Sequence, residues 1–162
     1  TVVELLGGTV PGNWDGRSFA KDFQSHRETG RDHMVVSQLA SAAQRGVRFG
    51  DYMLVKTYDR GTHAFPQHML FDIVKDPHER HDLAPRRPDL VAQGLSLLQQ
   101  WHDRMLRGSD TNRDPLWTVM REGGPYPAEQ QTHRQYRDRL RQTGRGKWAD
   151  FLETPLDGPA GS

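Results

Sequence analysis

The pattern of apolar and polar positions changes period once along the middle of this chain. Four short runs carry the β-branched and alternating residues that fit a pleated, half-buried surface: 33–38, 42–49, 52–58 and 68–74. Gly50 and Asp51 stand between the second and third runs and read as a hairpin turn. Connections this short favour antiparallel neighbours, because parallel strands need long crossovers. Beyond these runs the spacing becomes helical. Leu90, Val91, Gly94, Leu95, Leu98, Trp101, Met105 and Leu106 recur at three- and four-residue steps. Pro88 and Asp89 suit a first helical turn, Arg104 and Arg107 suit a last one, and Gly108 stops it. The expected fold class is α+β: a small, roughly four-stranded antiparallel sheet packed by one long helix, which buries both apolar surfaces.

The flanks are less regular. Val2, Val3, Leu5 and Leu6 ahead of Gly7 and Gly8 read as the last turns of a helix ended by glycine. Pro11-Gly12 and Asp15-Gly16 mark turns, and Ser18 is placed to cap a short helix through Lys21 to Phe23. Residues 24–32 read as an exposed loop. After Ser109 come a short apolar stretch from Leu116 to Met120, a polar helix from Gln130 to Leu140 and an apolar-faced helix from Gly146 to Leu152. The final "DGPAGS" is expected to be mobile. The chain therefore divides into a sheet-and-helix subdomain, 1–108, and an irregular, partly helical tail extension, 109–162. No internal repeat is visible.

Composition narrows the function classes. Only 34% of the 162 residues are hydrophobic and mean hydropathy is −0.85, so a modest core with long polar connections is expected. A formal net charge of +1 gives no global argument for nucleic acid or an anionic membrane as partner. The basic stretch of Arg134, Arg137, Arg139, Arg141, Arg145 and Lys147 is diluted by Glu129, Asp138 and Asp150. It reads as a solvated helix face before it reads as a nucleic-acid surface. The absence of cysteine removes disulfides, thiolate metal sites and a cysteine nucleophile. No apolar run is long enough to span a bilayer, and no signal-peptide pattern opens the chain. The chain begins with a helix already under way at Thr1, so an upstream segment is expected, and the compartment stays open.

The acidic block "MLFDIVKDPHERHDLA" is the first site candidate, with Asp72, Asp76, Glu79, Asp82, His78 and His81 close together. Its histidines are three residues apart, where a zincin helix needs four, and Asp76-Pro77 disfavours a helix there. The block reads better as a strand exit in which Asp76 and Asp82 bond nearby backbone N–H groups. Gly7, Gly8, Gly12 and Gly16 lack the spacing of a phosphate loop. Ser18, Ser37 and Ser41 sit in no activating motif. The loop 58–68, which joins two expected strands and carries Tyr58, Asp59, Arg60, His63 and His68, is the best ligand-facing candidate. Catalytic and metal-ligating sets built from this chain alone are expected to be absent.

The order of the pieces resembles the sulfatase family. "ELLGGTVPGNWDGRSFA" is similar to the segment that follows the family's metal-binding region, through Gly8, Pro11, Asp15, Gly16 and Ser18. "QRGVRFGDYMLVKTY" resembles its Arg-x-Val-Arg-x-Gly-Asp-Tyr strand pair, through Arg45, Val47, Arg48, Gly50, Asp51 and Tyr52. "MLFDIVKDPHERHDLA" resembles its Leu-Tyr/Phe-Asp block, through Leu70, Phe71, Asp72, Asp76, Pro77, Glu79, Leu83 and Ala84, with Asp82 where Asn is common. The likeness covers roughly Thr1 to Arg107, and the tail resembles that of a bacterial sulfatase subgroup.

The resemblance implies a C-terminal subdomain whose partner is the N-terminal catalytic domain of the parent. That domain would hold the formylglycine nucleophile, made from a Cys/Ser-x-Pro-x-Arg motif, and a calcium ion. This chain has neither the cysteine nor a Ser-x-Pro-x-Arg, so none of those positions carries over to it. What it would supply is one wall of the substrate cleft, with His63, Tyr58 and His68 as the candidate residues. Two other readings stand beside this one. The parent could cleave phosphonate or phosphate esters of the same superfamily, or the chain could be a non-enzymatic, self-associating interaction module.

Overall fold

A computed structural model describes residues 1–14, 16–27, 30–121 and 130–154, with side chains left out at 130–133. The chain divides into two compact units, Thr1–Asp32 and His33–Ser162.

In the first unit, α1 (Val2–Leu5) and α2 (Ala20–Ser25) are both short. The expected glycine stop is present: Gly8 N–H donates to Val3 C=O and Gly7 N–H to Glu4 C=O, which satisfies carbonyls the helix end leaves open. Ser18 Oγ accepts from Ala20 N–H at 3.2 Å, and Thr1 Oγ1 accepts from Phe19 N–H at 2.9 Å. Val2, Leu6, Trp14, Phe19 and Phe23 are all exposed, an apolar surface large for so short a segment. The Asp15-Gly16 turn expected from the sequence involves a residue outside the described ones.

The second unit holds an α+β core. Strands β1 (His33–Gln38), β2 (Ala43–Phe49), β3 (Tyr52–Asp59) and β4 (His68–Asp72) form one antiparallel sheet in the order β1-β2-β3-β4. Two residues link β2 to β3, and Gly50 there takes φ +50°, the left-handed conformation that tight hairpins require. The register places Val35, Val47, Leu54 and Leu70 in one row across all four strands. Helix α3 (Pro88–Arg107) lies on that row, and Val47, Phe49, Leu54, Leu70 and Leu98 close the core. The helix comes close because Gly94 faces the sheet. A Cβ at that position would stand 2.6 Å from Leu54 Cδ2. The opposite sheet face carries Met34 and Val36, both exposed.

Strand β4 ends at Asp72, two residues before the apolar pattern does. Asp72 Oδ1 accepts from Lys75 N–H and Asp72 C=O from Asp76 N–H, so the chain turns and Val74 points to solvent. The tail holds α4 (Pro115–Arg121), α5 (Gln130–Gln142) and α6 (Gly146–Glu153). Arg141 on α5 ties to Asp150 and Glu153 on α6, each at 3.0 Å. The terminal "DGPAGS" lies outside the described residues. Among the described residues no helix is long and apolar enough to cross a membrane.

Candidate functional site

The site begins with a charge on the wrong side of a strand. Alternation along β2 puts Arg45 on the same face as Val47 and Phe49, toward α3. A guanidinium there needs a partner, because an unpaired buried charge is costly. The partner is Asp114, just ahead of α4, whose two carboxylate oxygens accept from Arg45 at 2.7 and 2.6 Å. Arg45 Nε also reaches Ser37 Oγ at 3.4 Å, and the guanidinium lies 4.9 Å from the Trp101 ring centre. Asp114 Oδ1 accepts from Leu116 N–H at 3.0 Å and so starts α4 as well. His102 Nε2, on α3, stands 3.2 Å from Asp114 Oδ2. Burial alone would raise the Asp114 carboxyl. The Arg45 hydrogen bonds, the Leu116 N–H and the nearby charges outweigh it and hold the group below its ordinary value.

Next to this pair, the register aligns Arg45, Lys56 and His68 across β2, β3 and β4. Arg45 is committed to Asp114. No carboxylate lies within ion-pair distance of Lys56 among the described residues; its ammonium sits 4.9 Å from the Tyr58 ring centre. Burial first, and then Lys56, push the His68 imidazole below its ordinary value, so it is neutral where a free histidine begins to charge. Burial raises the Tyr58 phenol, which keeps its proton. The Trp117 indole meets the Tyr58 ring nearly edge-on, 5.6 Å between centres and 81° between planes.

These groups border an open cleft of about 410 Å³, lined among others by Lys56, Tyr58, Ser96, Gln99, His102 and Trp117. A second cleft of about 390 Å³ shares His102 and Trp117 with it and adds Arg113 and Arg121. Both volumes fall in the small-molecule range of roughly 300–1,000 Å³. The lining of the first cleft offers one cation without an acidic partner among the described residues, a phenol, an amide, a hydroxyl and an indole, which is a set for binding and orienting a ligand.

The residues singled out from the sequence fall in different places. Tyr58 lines the cleft, and His68 lies beside Lys56 on the same sheet face. His63 stays on the exposed loop, where its N–H closes a turn on Arg60 C=O and its ring stacks on Phe65, 5.0 Å between centres. Arg60, from the same loop, turns inward and donates to the carbonyls of Phe151 and Thr154 at the end of α6. Arg45, Asp114, His102 and Trp117 were not among the candidates. The signal available in the sequence was Arg45 itself, a charge at an inward position of an alternating strand.

The acidic block is a latch. Asp76 Oδ2 accepts from the N–H groups of Arg80 and His81 at 2.8 and 2.7 Å. Asp82 Oδ1 accepts from Leu70 N–H and Ala84 N–H at 2.9 and 2.8 Å, and Leu83 N–H returns to Leu70 C=O at 2.7 Å. Carboxylates committed in this way to backbone N–H groups do not fit the oxygen cage that a calcium ion takes. Among the described residues no group of three or more His, Asp or Glu side chains is arranged to hold a metal ion.

No protein-family model matches the chain, and no curated protein matches it. Solved structures do. One is BT33336S-sulf, from work on the metabolism of multiple glycosaminoglycans by Bacteroides thetaiotaomicron, at 20% identity and TM-score 0.45. Another is Ps i-CgsB, at 19% identity with TM-score 0.46, or 0.47 in complex with k-i-k-neocarrahexaose. Each match covers 61% of this chain, and the chain spans 22% of each of those chains. The likeness is therefore to a part of those proteins and does not extend to what they act on.

Proposed function

We propose that this chain is the C-terminal part of a sulfatase-type ester hydrolase and works as scaffold and cleft wall for a catalytic domain it does not contain. The observation that carries the reading is where the family-like blocks fall. "QRGVRFGDYMLVKTY" is the hairpin of β2 and β3, and "MLFDIVKDPHERHDLA" is β4 with its latched exit. Residues that would be puzzling as an incomplete active site make sense as a frame. The exposed apolar side chains of Thr1–Asp32 and the bare Met34 and Val36 face support a further covering surface. The partner would be the N-terminal domain of the parent, which would carry formylglycine and calcium. Tyr58, His68 and His63 are the residues proposed to touch a substrate's leaving group.

Sulfate-ester cleavage needs an activated oxygen nucleophile and cations around the developing charge. The isolated chain is therefore expected to leave 4-nitrophenyl sulfate unhydrolysed in the presence of calcium, while the protein extended upstream to its nucleophile motif turns it over. Turnover by the chain alone, above a buffer control, overturns the reading. Faster turnover of the matching phosphate or phosphonate ester by the extended protein would assign it to the other branch of the superfamily. Self-association of the bare face is the remaining alternative; a strict monomer by sedimentation at high concentration counts against it.

A further inference from the structure

The two edges of the sheet are finished differently. At β4 the outward backbone groups are taken: Leu70 N–H donates to Asp82, Leu70 C=O accepts from Leu83 N–H, and Asp72 C=O accepts from Asp76 N–H. At β1, among the described residues, no backbone N–H or C=O beyond the ladder to β2 has a hydrogen-bond partner. We infer that this open edge pairs with the same edge of a second copy of the chain, antiparallel about a two-fold axis, joining two four-stranded sheets into one. Such pairing uses the edge of the sheet and leaves the proposed scaffold role untouched.

The row of Val35, Val47, Leu54 and Leu70 fixes which backbone groups β1 offers. In an antiparallel sheet each residue turns both backbone groups to the same side, and the side alternates along the strand. The backbone of Leu70 turns outward at β4, so Leu54 and Val47 bond each other and the backbone of Val35 turns outward at β1. His33 and Ser37 share its direction. With Val35 opposite Val35 of the second copy, His33 meets Ser37, and all three residues exchange hydrogen bonds in pairs. Between them Met34 falls opposite the second copy's Val36 in the non-hydrogen-bonded pairs, where side chains are closest. Both are exposed, at 44% and 40%, so this contact buries apolar surface that the single chain leaves in water. The strand also suits itself in charge. "HMVVSQ" contains no acidic residue, lysine or arginine, and the nearest carboxylate, Asp32, falls opposite Gln38. It lacks the lysine, proline or bulge that commonly guards a free edge. An unrelated strand would have to match the apolar pair of Met34 and Val36, and the chain's own strand does so twice.

The test is sedimentation equilibrium of the 162-residue chain, with amide hydrogen exchange followed by NMR. A monomer–dimer equilibrium is expected, with a dissociation constant between about 1 μM and about 1 mM, as suits a small interface, and no larger species. Exchange at His33, Val35 and Ser37 should slow as the dimer forms, while Met34 and Val36, bonded to β2, stay protected at every concentration. Met34→Glu/Val36→Glu should weaken the dimer at least about tenfold, because like charges then meet across the axis. Met34→Glu/Val36→Lys should restore it, because each introduced carboxylate then faces the other copy's ammonium. Circular dichroism checks that both variants fold. A strict monomer throughout that range overturns the inference, and so do species larger than a dimer. So does a dimer in which the Val35 N–H exchanges as fast as in the monomer, or one that the folded Met34→Glu/Val36→Glu variant forms undiminished.

Discussion

Arg45 and Asp114 are 69 residues apart and meet through two hydrogen bonds of 2.7 and 2.6 Å, with side chains only 8% and 4% exposed. The pair fixes the segment ahead of α4 to the inner face of the sheet. Removing one member leaves the other charged and buried, at a cost of about 3–5 kcal/mol. Asp114→Ala should therefore lower the unfolding free energy by that order in urea titration. Arg45→Met combined with Asp114→Leu should recover part of the loss, since apolar replacements of similar volume need no partner while the Leu116 N–H stays uncapped. A double variant as unstable as the single one would show that the charges themselves hold the fold.

Acid should act on the same pair. The Asp114 carboxyl is held below its ordinary value of 3.8, so it contributes stability above that value. That contribution is lost as pH falls below 3.8 through the lower folded value. The wild type should lose stability in this window more steeply than the Arg45→Met/Asp114→Leu variant, read from denaturation midpoints at matched pH.

His68 gives a second window at milder pH. Its folded value lies below 6.5, because burial and Lys56 disfavour the charged form. The unfolded chain then takes up the proton first, so stability is present above 6.5 and declines as pH falls through the folded value. His68→Gln should flatten the decline between those two values. An unchanged pH profile would mean that the His68 imidazole is as easily charged in the fold as out of it.

Gly94 sets the distance between α3 and the sheet. Alanine gains up to about 1 kcal/mol in helix propensity, while overpacking costs about 1–3 kcal/mol. With Leu54 Cδ2 only 2.6 Å from the new Cβ, the clash should win and Gly94→Ala should destabilise by about 1 kcal/mol. In a Leu54→Ala background the cost should shrink but not vanish, because the Cβ of residue 54 at 2.9 Å and Phe49 Cε1 at 3.0 Å remain, a coupling that a double-mutant cycle measures.

Arg60 holds the end of α6 through the carbonyls of Phe151 and Thr154, at 2.9 and 3.1 Å, with its guanidinium 4.5 Å from the Phe151 ring centre. Arg60→Ala should cost about 2–3 kcal/mol and speed hydrogen exchange in Gly146–Glu153 before the sheet is affected. Lysine should restore little, because one ammonium does not span two carbonyls the way a planar fork does.

The elements that the sequence discloses are those whose signals are local. The strand and helix periods locate β1 to β4 and α3 within a residue or two, and Pro88 and Gly108 mark the bounds of α3. The strand-exit reading of Asp76 and Asp82 is also local, since a short carboxylate reaches the backbone only a few residues away. Where β4 stops was not legible from the apolar pattern, because Asp72 turns the chain while Ile73 and Val74 still look like strand. The cleft was half legible. Tyr58 comes from the strands and loop that alternation exposes, while His68 lies beside Lys56 and outside the lining. Asp114, His102 and Trp117 come from a turn, a helix and the tail, and no spacing rule connects them to β2. Arg60 shows the converse: a polar loop residue that looks available for a ligand already serves a helix end.

The latch at Asp82 also has a meaning for how molecules of this chain meet. The outer rim of β4 at Leu70 is already occupied, its N–H by a carboxylate and its C=O by Leu83. A neighbouring molecule cannot add a further strand there without first unfastening 82–84. Stacking into fibres along that side is thus blocked by the chain's own next turn, and Asp82→Ala would open that rim to it.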